Sequence, residues 1–345
     1  MTTCTQRRVS SLGLGGVGMK VVLLMGGRSG EHDISLMSGA AVAEALDALG
    51  HERFDVVFEK AGGARWPGGA GTNAEALAAL ASWAPDAVFI AMHGADGEDG
   101  TVQGALQLLD IPFQGSGVRA SAIGLDKART KALLRQAGLP VAADRVLLRG
   151  EPVDWDALAD ELGLPVVLKT EASGSSVGVD VVRDRATLAA RGAELLAETP
   201  ALLAEAYLSG REFTGPVLED PDGAPRALPV VEIRPRTAAF FDYVAKYTPG
   251  ATDEICPAPI PPALEAEIGA LALAAHQALG CRGYSRTDIM LDAAGRPRVL
   301  EVNTLPGLTR ESLLPRSARA AGLSFPDLVA RLLQRTSRAP GPAPR

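Results

Sequence analysis

The chain has 345 residues, 47% of them hydrophobic and 22% charged, with a formal net charge of -7. That length suits two or three domains sharing an interface, and the composition is that of a soluble globular protein with sizeable cores. An acidic balance with 4% aromatic residues argues against a nucleic-acid partner, which needs basic patches and stacking platforms. No apolar run is long enough to span a bilayer, so no membrane partner is expected. Cys4, Cys256 and Cys281 are odd in number and widely spaced. They form neither a disulfide framework nor a zinc site, which points to a reducing cytoplasm.

Residues 1–18 read as a flexible leader, and Met19 is a second candidate start. Gly13, Gly15 and Gly18 match the spacing of a dinucleotide fingerprint. That fingerprint needs a strand before it, and here the strand follows, so a nicotinamide-dependent dehydrogenase is rejected. From Lys20 strands and helices alternate, the signature of a parallel α/β sheet. Strand 20–25 ends in a Gly-rich turn reaching Glu31, a helix covers 34–49, and Phe54, Val56 and Phe58 alternate in a second strand. A helix over 74–82 and a buried strand over 86–92 follow, the latter ending at His93. Ligands of open α/β sheets bind beyond the carboxyl ends of strands, which is where Glu31 and His93 fall. Loop charges or capping groups are the alternative reading of both.

A turn at Glu98–Thr101 opens a helix to Leu109, and a broken helical stretch over 118–137 carries Asp126, Lys127, Arg129 and Lys131. Basic charge on a helix is ordinarily a solvated face, and only context promotes Lys127 to a ligand. Residues 140–208 read as a small α+β unit. Its strand 165–169 ends in Lys169, and Gly174-Ser175-Ser176-Val177-Gly178 follows. Glycine amides, serine hydroxyls and a lysine make a phosphate cradle, with an ordinary Gly/Ser turn as the alternative. Strands flank a turn at Asp220–Gly223, with Gly215-Pro216 suggesting an edge or a bulge. The aperiodic stretch 239–259 has the length of an active-site lid and carries Lys246 and Tyr247. A helix covers 262–279, with His276 on it as a structural residue, and a last helix covers 326–334 before a disordered tail.

Between those two helices, strands 287–291 and 298–302 flank an Ala-Ala-Gly-Arg turn, a hairpin signal. Symmetry about Ala294 and Gly295 sets Asp288 across from Glu301, and alternation puts Asn303 and Arg286 on the same face. Three oxygen donors without histidine or cysteine suit Mg²⁺; a surface hairpin with scattered charges is the alternative.

In order, MGGRSGEHDISL from Met25, AMHGADGEDGTVQG from Ala91, GSGVRASAIGLDK from Gly115, GSSVGV from Gly174, DYVAKY from Asp242 and LEVNTLPGLTRESL from Leu300 resemble the D-alanine-D-alanine ligases of the ATP-grasp superfamily. The resemblance runs from about 20 to about 333. It implies a mixed α/β and α+β fold, an N-terminal Rossmann-like parallel-sheet domain (19–125) followed by a two-part ATP-grasp fold (126–208 and 209–335). It also implies ATP as co-substrate with two Mg²⁺ or Mn²⁺ ions, D-alanine as substrate, and a cytoplasmic homodimer.

By the same resemblance, Lys127, Lys169 and Ser176 meet the ATP phosphates. Glu205, Tyr207 and Leu208 line the adenine slot, and Glu212 holds the ribose. Asp288, Glu301 and Asn303 bind the metal ions. Glu31 grips the first D-alanine through a link with Ser175 and Tyr247, and His93 lies near the substrate. Arg286 and the Gly307 N–H stabilise the oxyanion, while Ser312 with Lys246 holds the second carboxylate. Thr170, Ala172-Ser173 and Arg310-Glu311 depart from the family's usual residues. The intact Lys246-Tyr247 pair favours D-alanine over D-lactate or D-serine as second substrate. The complete ligand set argues against a non-catalytic nucleotide-binding protein.

Overall fold

The computed structural model describes residues 18–170, 179–236 and 251–336. The expected lid residues Ser175, Ser176, Lys246 and Tyr247 lie outside the described residues.

The first sheet is built on β1 (Lys20–Gly26), which runs parallel to β2 (Glu52–Phe58) on one side and β5 (Ala87–Ile90) on the other. Because β1 is central, every residue after Lys20 is buried, whereas β2 buries only Phe54, Val56 and Phe58. Helices α1 (His32–Ala48) and α2 (Asn73–Ser82) complete the crossovers, α2 opening with a reciprocal Thr72–Glu75 capping box. A short antiparallel hairpin, β3 (Ala64–Trp66) and β4 (Gly69–Gly71), extends the sheet beyond the expected strands. Its turn uses Gly68 at φ 86°, a conformation open to glycine. Helix α3 (Thr101–Leu108) follows β5. The expected break in the next helical stretch falls at Asp126, which separates α4 (Val118–Leu125) from α5 (Lys127–Gln136). Asp126 is extended, and its carboxylate accepts the Arg129 N–H at 2.8 Å, capping α5.

The second sheet is antiparallel, in the order β6 (Asp144–Leu148), β9 (Ala201–Ala206), β7 (Val166–Thr170), β8 (Val179–Val182). Helices α6 (Trp155–Leu162) and α7 (Arg185–Glu198) cover one face, packing Leu158 and Leu188 on Val166, Leu168, Leu202 and Ala204. Alternation therefore turns Asp144, Val146, Lys169, Leu203 and Glu205 to the other face.

In the third sheet, β10 (Glu212–Glu219) lies between β12 (Val231–Pro235) and β14 (Tyr284–Leu291). Strands β13 (Thr252–Ile255) and β15 (Pro297–Asn303) form the edges, and β11 (Pro225–Ala227) continues beside β10. Gly215-Pro216 thus sits inside a central strand, not at an edge or a bulge. Pro216 is tolerated because its carbonyl points away from β14 and accepts the Leu228 N–H, at the gap where β12 pairing has ended and β11 pairing begins. The ring nitrogen faces the same gap, so no ladder bond to β14 is lost. Helix α8 (Pro262–Leu279) backs this sheet, starting on Pro262 and stopped by Gly280 at φ 69°.

The chain then returns to the first sheet. Leu305, Leu308, Leu314 of α9 (Leu313–Ala320) and Leu328 of α10 (Phe325–Gln334) are buried in one cluster with Val22, Leu24 and Phe89. Burying a leucine of this kind is worth about 1.5–3 kcal/mol. The 304–312 segment is thereby held against the carboxyl ends of β1 and β5.

Candidate active site

On β14 and β15, Arg286 pairs across from Asn303 and Asp288 across from Glu301. Symmetric counting reaches this register, yet the hairpin is not symmetric. Ile289 pairs with Val299, so the register shifts by one beyond Asp288 and leaves Leu300 as the bulged residue. Arg286 forks onto Asp288, Nε to Oδ1 at 2.9 Å and Nη2 to Oδ2 at 2.8 Å. The Thr214 hydroxyl donates to Asp288 Oδ1 at 2.7 Å, and Asn303 Nδ2 donates to Oδ2 at 3.3 Å. Lys127 Nζ lies 3.0 Å from Glu301 Oε2. Burial pulls the Arg286 guanidinium down, but Asp288 more than reverses this and leaves it firmly charged. Glu301 holds Lys127 above its ordinary range against the opposing effect of burial.

Among the described residues no cluster of three His, Cys, Asp or Glu side chains could hold a metal. Asp288, Glu301 and Asn303 nevertheless share one face of the hairpin and carry side-chain oxygens of the hard kind that suits Mg²⁺ or Mn²⁺. Arg286 and Lys127 supply the positive charge those oxygens meet here. Glu212 shares the face of Thr214 and Asp288, as the β10–β14 register requires.

Facing the hairpin, the free face of the second sheet forms a groove lined by Lys127, Val146, Lys169, Thr170 and Leu203. Lys169 Nζ lies 2.5 Å from Glu205 Oε2, and Lys131 Nζ lies 2.7 Å from Glu205 Oε1. Burial pushes the Glu205 carboxyl up, and Lys169 and Lys131 reverse that to leave it below the usual range. The expectation of a solvated basic face on α5 holds for Arg129, which is exposed, and fails for Lys131. Lys127 and Lys131, four residues apart on one face, both turn inward, and Lys131 is fully buried. That spacing was the available signal. Tyr207 and Leu208 are half-buried beyond β9, with the Tyr207 N–H donating to the Pro165 carbonyl at 3.3 Å.

At the other end, the β1–β5 pairing brings Glu31 and His93 together. A Cβ placed on Gly94 would lie 3.0 Å from Glu31 Oε2, so glycine makes room for that carboxylate. His93 is buried, with Nε2 2.9 Å from Ser38 Oγ and Nδ1 3.7 Å from Glu98 Oε1. Burial lowers its pKa, but Glu98 and Glu31 outweigh that and raise it. Ser38 Oγ also accepts the Leu308 N–H at 3.4 Å, joining His93 to the loop that carries Gly307. Ser312 Oγ meets Thr309 Oγ1 at 2.7 Å and would lie 3.0 Å from a Cβ on Gly307. His276 bonds Ser285 Oγ at 2.8 Å inside the core, a structural role as expected. Thr214, Glu98 and Ser38 were not anticipated, since nothing in their local sequence marks a contact made across strands.

Comparison with known proteins gives this arrangement a family. A family model described as D-ala D-ala ligase C-terminus matches residues 133–334, and one described as D-ala D-ala ligase N-terminus matches 71–116. The D-alanine--D-alanine ligase of Moorella thermoacetica is 43% identical over 320 residues, covering 91% of this chain and 98% of that protein. The chain belongs to the D-alanine-D-alanine ligase family.

Another D-alanine--D-alanine ligase, from Syntrophobacter fumaroxidans, is 46% identical over 321 residues, covering 92% of this chain and 97% of its own. Among solved structures, the D-alanine--D-alanine ligase of Bacillus anthracis complexed with ATP superposes with a TM-score of 0.76. It is 32% identical, and the match covers 92% of this chain and 97% of that one. The resemblance read from the motifs is thus upheld, together with the mixed α/β architecture. The AMHGADGEDGTVQG segment falls inside the N-terminal match, and the β14–β15 hairpin falls inside the C-terminal one.

Proposed function

We propose that this chain joins two D-alanines to D-alanyl-D-alanine at the expense of ATP, releasing ADP and phosphate, as a cytoplasmic step in making cell-wall peptidoglycan precursors. The observation that carries this reading is the four-residue array of Arg286, Asp288, Glu301 and Asn303, set opposite the groove lined by Lys127 and Lys169, with Glu205 behind Lys169. Lys127 and Lys169 attract the triphosphate, Glu205, Tyr207 and Leu208 take the adenine, and Glu212 takes the ribose. Asp288, Glu301 and Asn303 would hold Mg²⁺ or Mn²⁺, which when bound would supply positive charge beside the phosphates. Glu31, beside His93, binds the ammonium of the first D-alanine and orients its carboxylate toward the γ-phosphate. The carboxylate attacks to give an acyl phosphate, and the amine of the second D-alanine displaces phosphate from the acyl carbon. Arg286 and the Gly307 N–H meet the developing oxyanion, where one such donor is typically worth about 3–4 kcal/mol. Ser312 anchors the second carboxylate.

The test is phosphate release with ATP, Mg²⁺ and D-alanine, with L-alanine as control, and isolation of the dipeptide. Absence of dipeptide under these conditions would sink the reading. Replacing the second substrate by D-lactate or D-serine decides between the related ligations. Met37 on α1, Leu108 at the end of α3 and Leu109 after it are exposed apolar side chains that a homodimer would cover, which sedimentation would reveal.

A further inference from the structure

Lys131 has no part in the roles above, yet its side chain is 0% exposed. Its ammonium lies 2.7 Å from Glu205 Oε1 and 3.2 Å from Asp144 Oδ1. Asp144 also bonds Arg135, a cation on the protein's surface, so Lys131 is not needed to neutralise it. Glu205 is different. Its side chain is 3% exposed, and its second oxygen is held by Lys169, which lines the groove. On the reading that Lys169 serves the phosphates, nucleotide entry draws one of the two counter-ions away from Glu205. A buried carboxylate left alone would take up a proton, because desolvation penalises the charged form. Lys131, fully buried between α5 and the second sheet, stays beside Glu205 and prevents this.

We propose that Lys131 is a positioning residue that sets nucleobase selectivity: it keeps Glu205 ionised, so that the Oε2 released by Lys169 is purely an acceptor for the exocyclic amine of adenine. An ionised carboxylate accepts and cannot donate, whereas a protonated one can do both. Adenine presents an amino donor at that position, and guanine or hypoxanthine presents a carbonyl acceptor. A carboxylate facing a carbonyl repels it; a carboxylic acid would bind it. Loss of Lys131 therefore weakens ATP and at the same time admits the oxo-purines. The inference rests on the adenine-slot reading of Glu205 given under the proposed function.

The test compares kcat/KM for ATP and for inosine triphosphate on the same preparation of the full chain. Their ratio does not depend on the fraction of protein that folds. Lys131→Met is expected to lower the ATP-over-inosine-triphosphate ratio on the order of tenfold, chiefly through the KM for ATP. Lys131→Arg, which keeps the charge, is expected to retain most of the ratio. Lys131→Gln, which keeps a polar group of similar length without the charge, replaces the methionine variant if that fails to fold. Glu205→Gln probes the underlying reading, because its amide can donate to a carbonyl and should also narrow the ratio. An unchanged ratio in Glu205→Gln means the base does not meet this side chain, and the adenine-slot reading falls. A narrowed ratio in Glu205→Gln with wild-type ratios in the neutral Lys131 variants overturns the role given to Lys131 alone. Equal losses with both nucleotides would make Lys131 a structural support and overturn the proposal as well.

Discussion

Thr214→Val replaces one hydroxyl by a methyl at a fully buried position in the centre of β10. The lost bond is the one from Thr214 Oγ1 to Asp288 Oδ1 at 2.7 Å, and its acceptor is charged. Hydrogen bonds to charged groups contribute about 1.5–3 kcal/mol. Asp288 keeps the Arg286 fork and Asn303, so the expected loss lies near the low end, about 1.5 kcal/mol. Urea unfolding of the metal-free protein measures this directly. If Asp288 is a metal ligand, Thr214 is also what orients it, and removing such a partner typically costs about 10–100-fold in metal affinity. Titration with Mg²⁺ followed by calorimetry should show that weakening, and Thr214→Ser should restore both properties. A valine variant with wild-type stability and wild-type Mg²⁺ affinity would refute the geometry assigned to this side of the site.

Asp288→Asn removes the charge of the carboxylate proposed to hold metal and leaves the Arg286 guanidinium without its fork, so turnover should fall by orders of magnitude; near-normal steady-state rates would reject the metal assignment. Gly307→Ala brings a Cβ to 3.0 Å from Ser312 Oγ. The displaced hydroxyl should raise the KM for the second D-alanine more than that for ATP, and an unchanged KM would separate Ser312 from that subsite. His93 has a raised pKa, from Glu98 and Glu31 working against burial. A group with a raised folded pKa adds stability that is complete below its unfolded pKa of about 6.5 and is lost as pH rises through the folded value. Wild type should therefore lose stability across a window beginning near neutrality, and His93→Gln should lack that slope in a series of melts. A slope surviving in the variant would assign it to another group.

Much of this protein was legible one segment at a time. Strand alternation in 54–58, the presence of a break within the 118–137 helical stretch, the bounds of the 262–279 helix and the register of Asp288 against Glu301 all follow from spacing and local chemistry. Such features depend on residues within a few positions of each other, where sequence distance and spatial distance agree. Helix 313–320 was not anticipated, since Pro315 in its first turn reads as a breaker although no intrahelical N–H is needed there. Lys131 on α5 reads as solvated because helical charge ordinarily is, and only the second sheet, folding over it, makes it a buried partner of Glu205.

The same holds for Thr214 and Asp288, separated by 74 positions, and for Ser38 and Leu308, separated by 270. Strand periodicity determines which face a side chain takes, because the pleat has a period of two. Which strand lies beside it is decided by burial of apolar surface summed over the whole chain, as when Leu305, Leu308 and Leu314 return to the core of the first sheet. The residue types needed for a carboxylate-activating site could be read in chain order. Which of them meet, as Arg286 and Thr214 meet Asp288, Lys127 meets Glu301 and Lys169 meets Glu205, belongs to the tertiary structure.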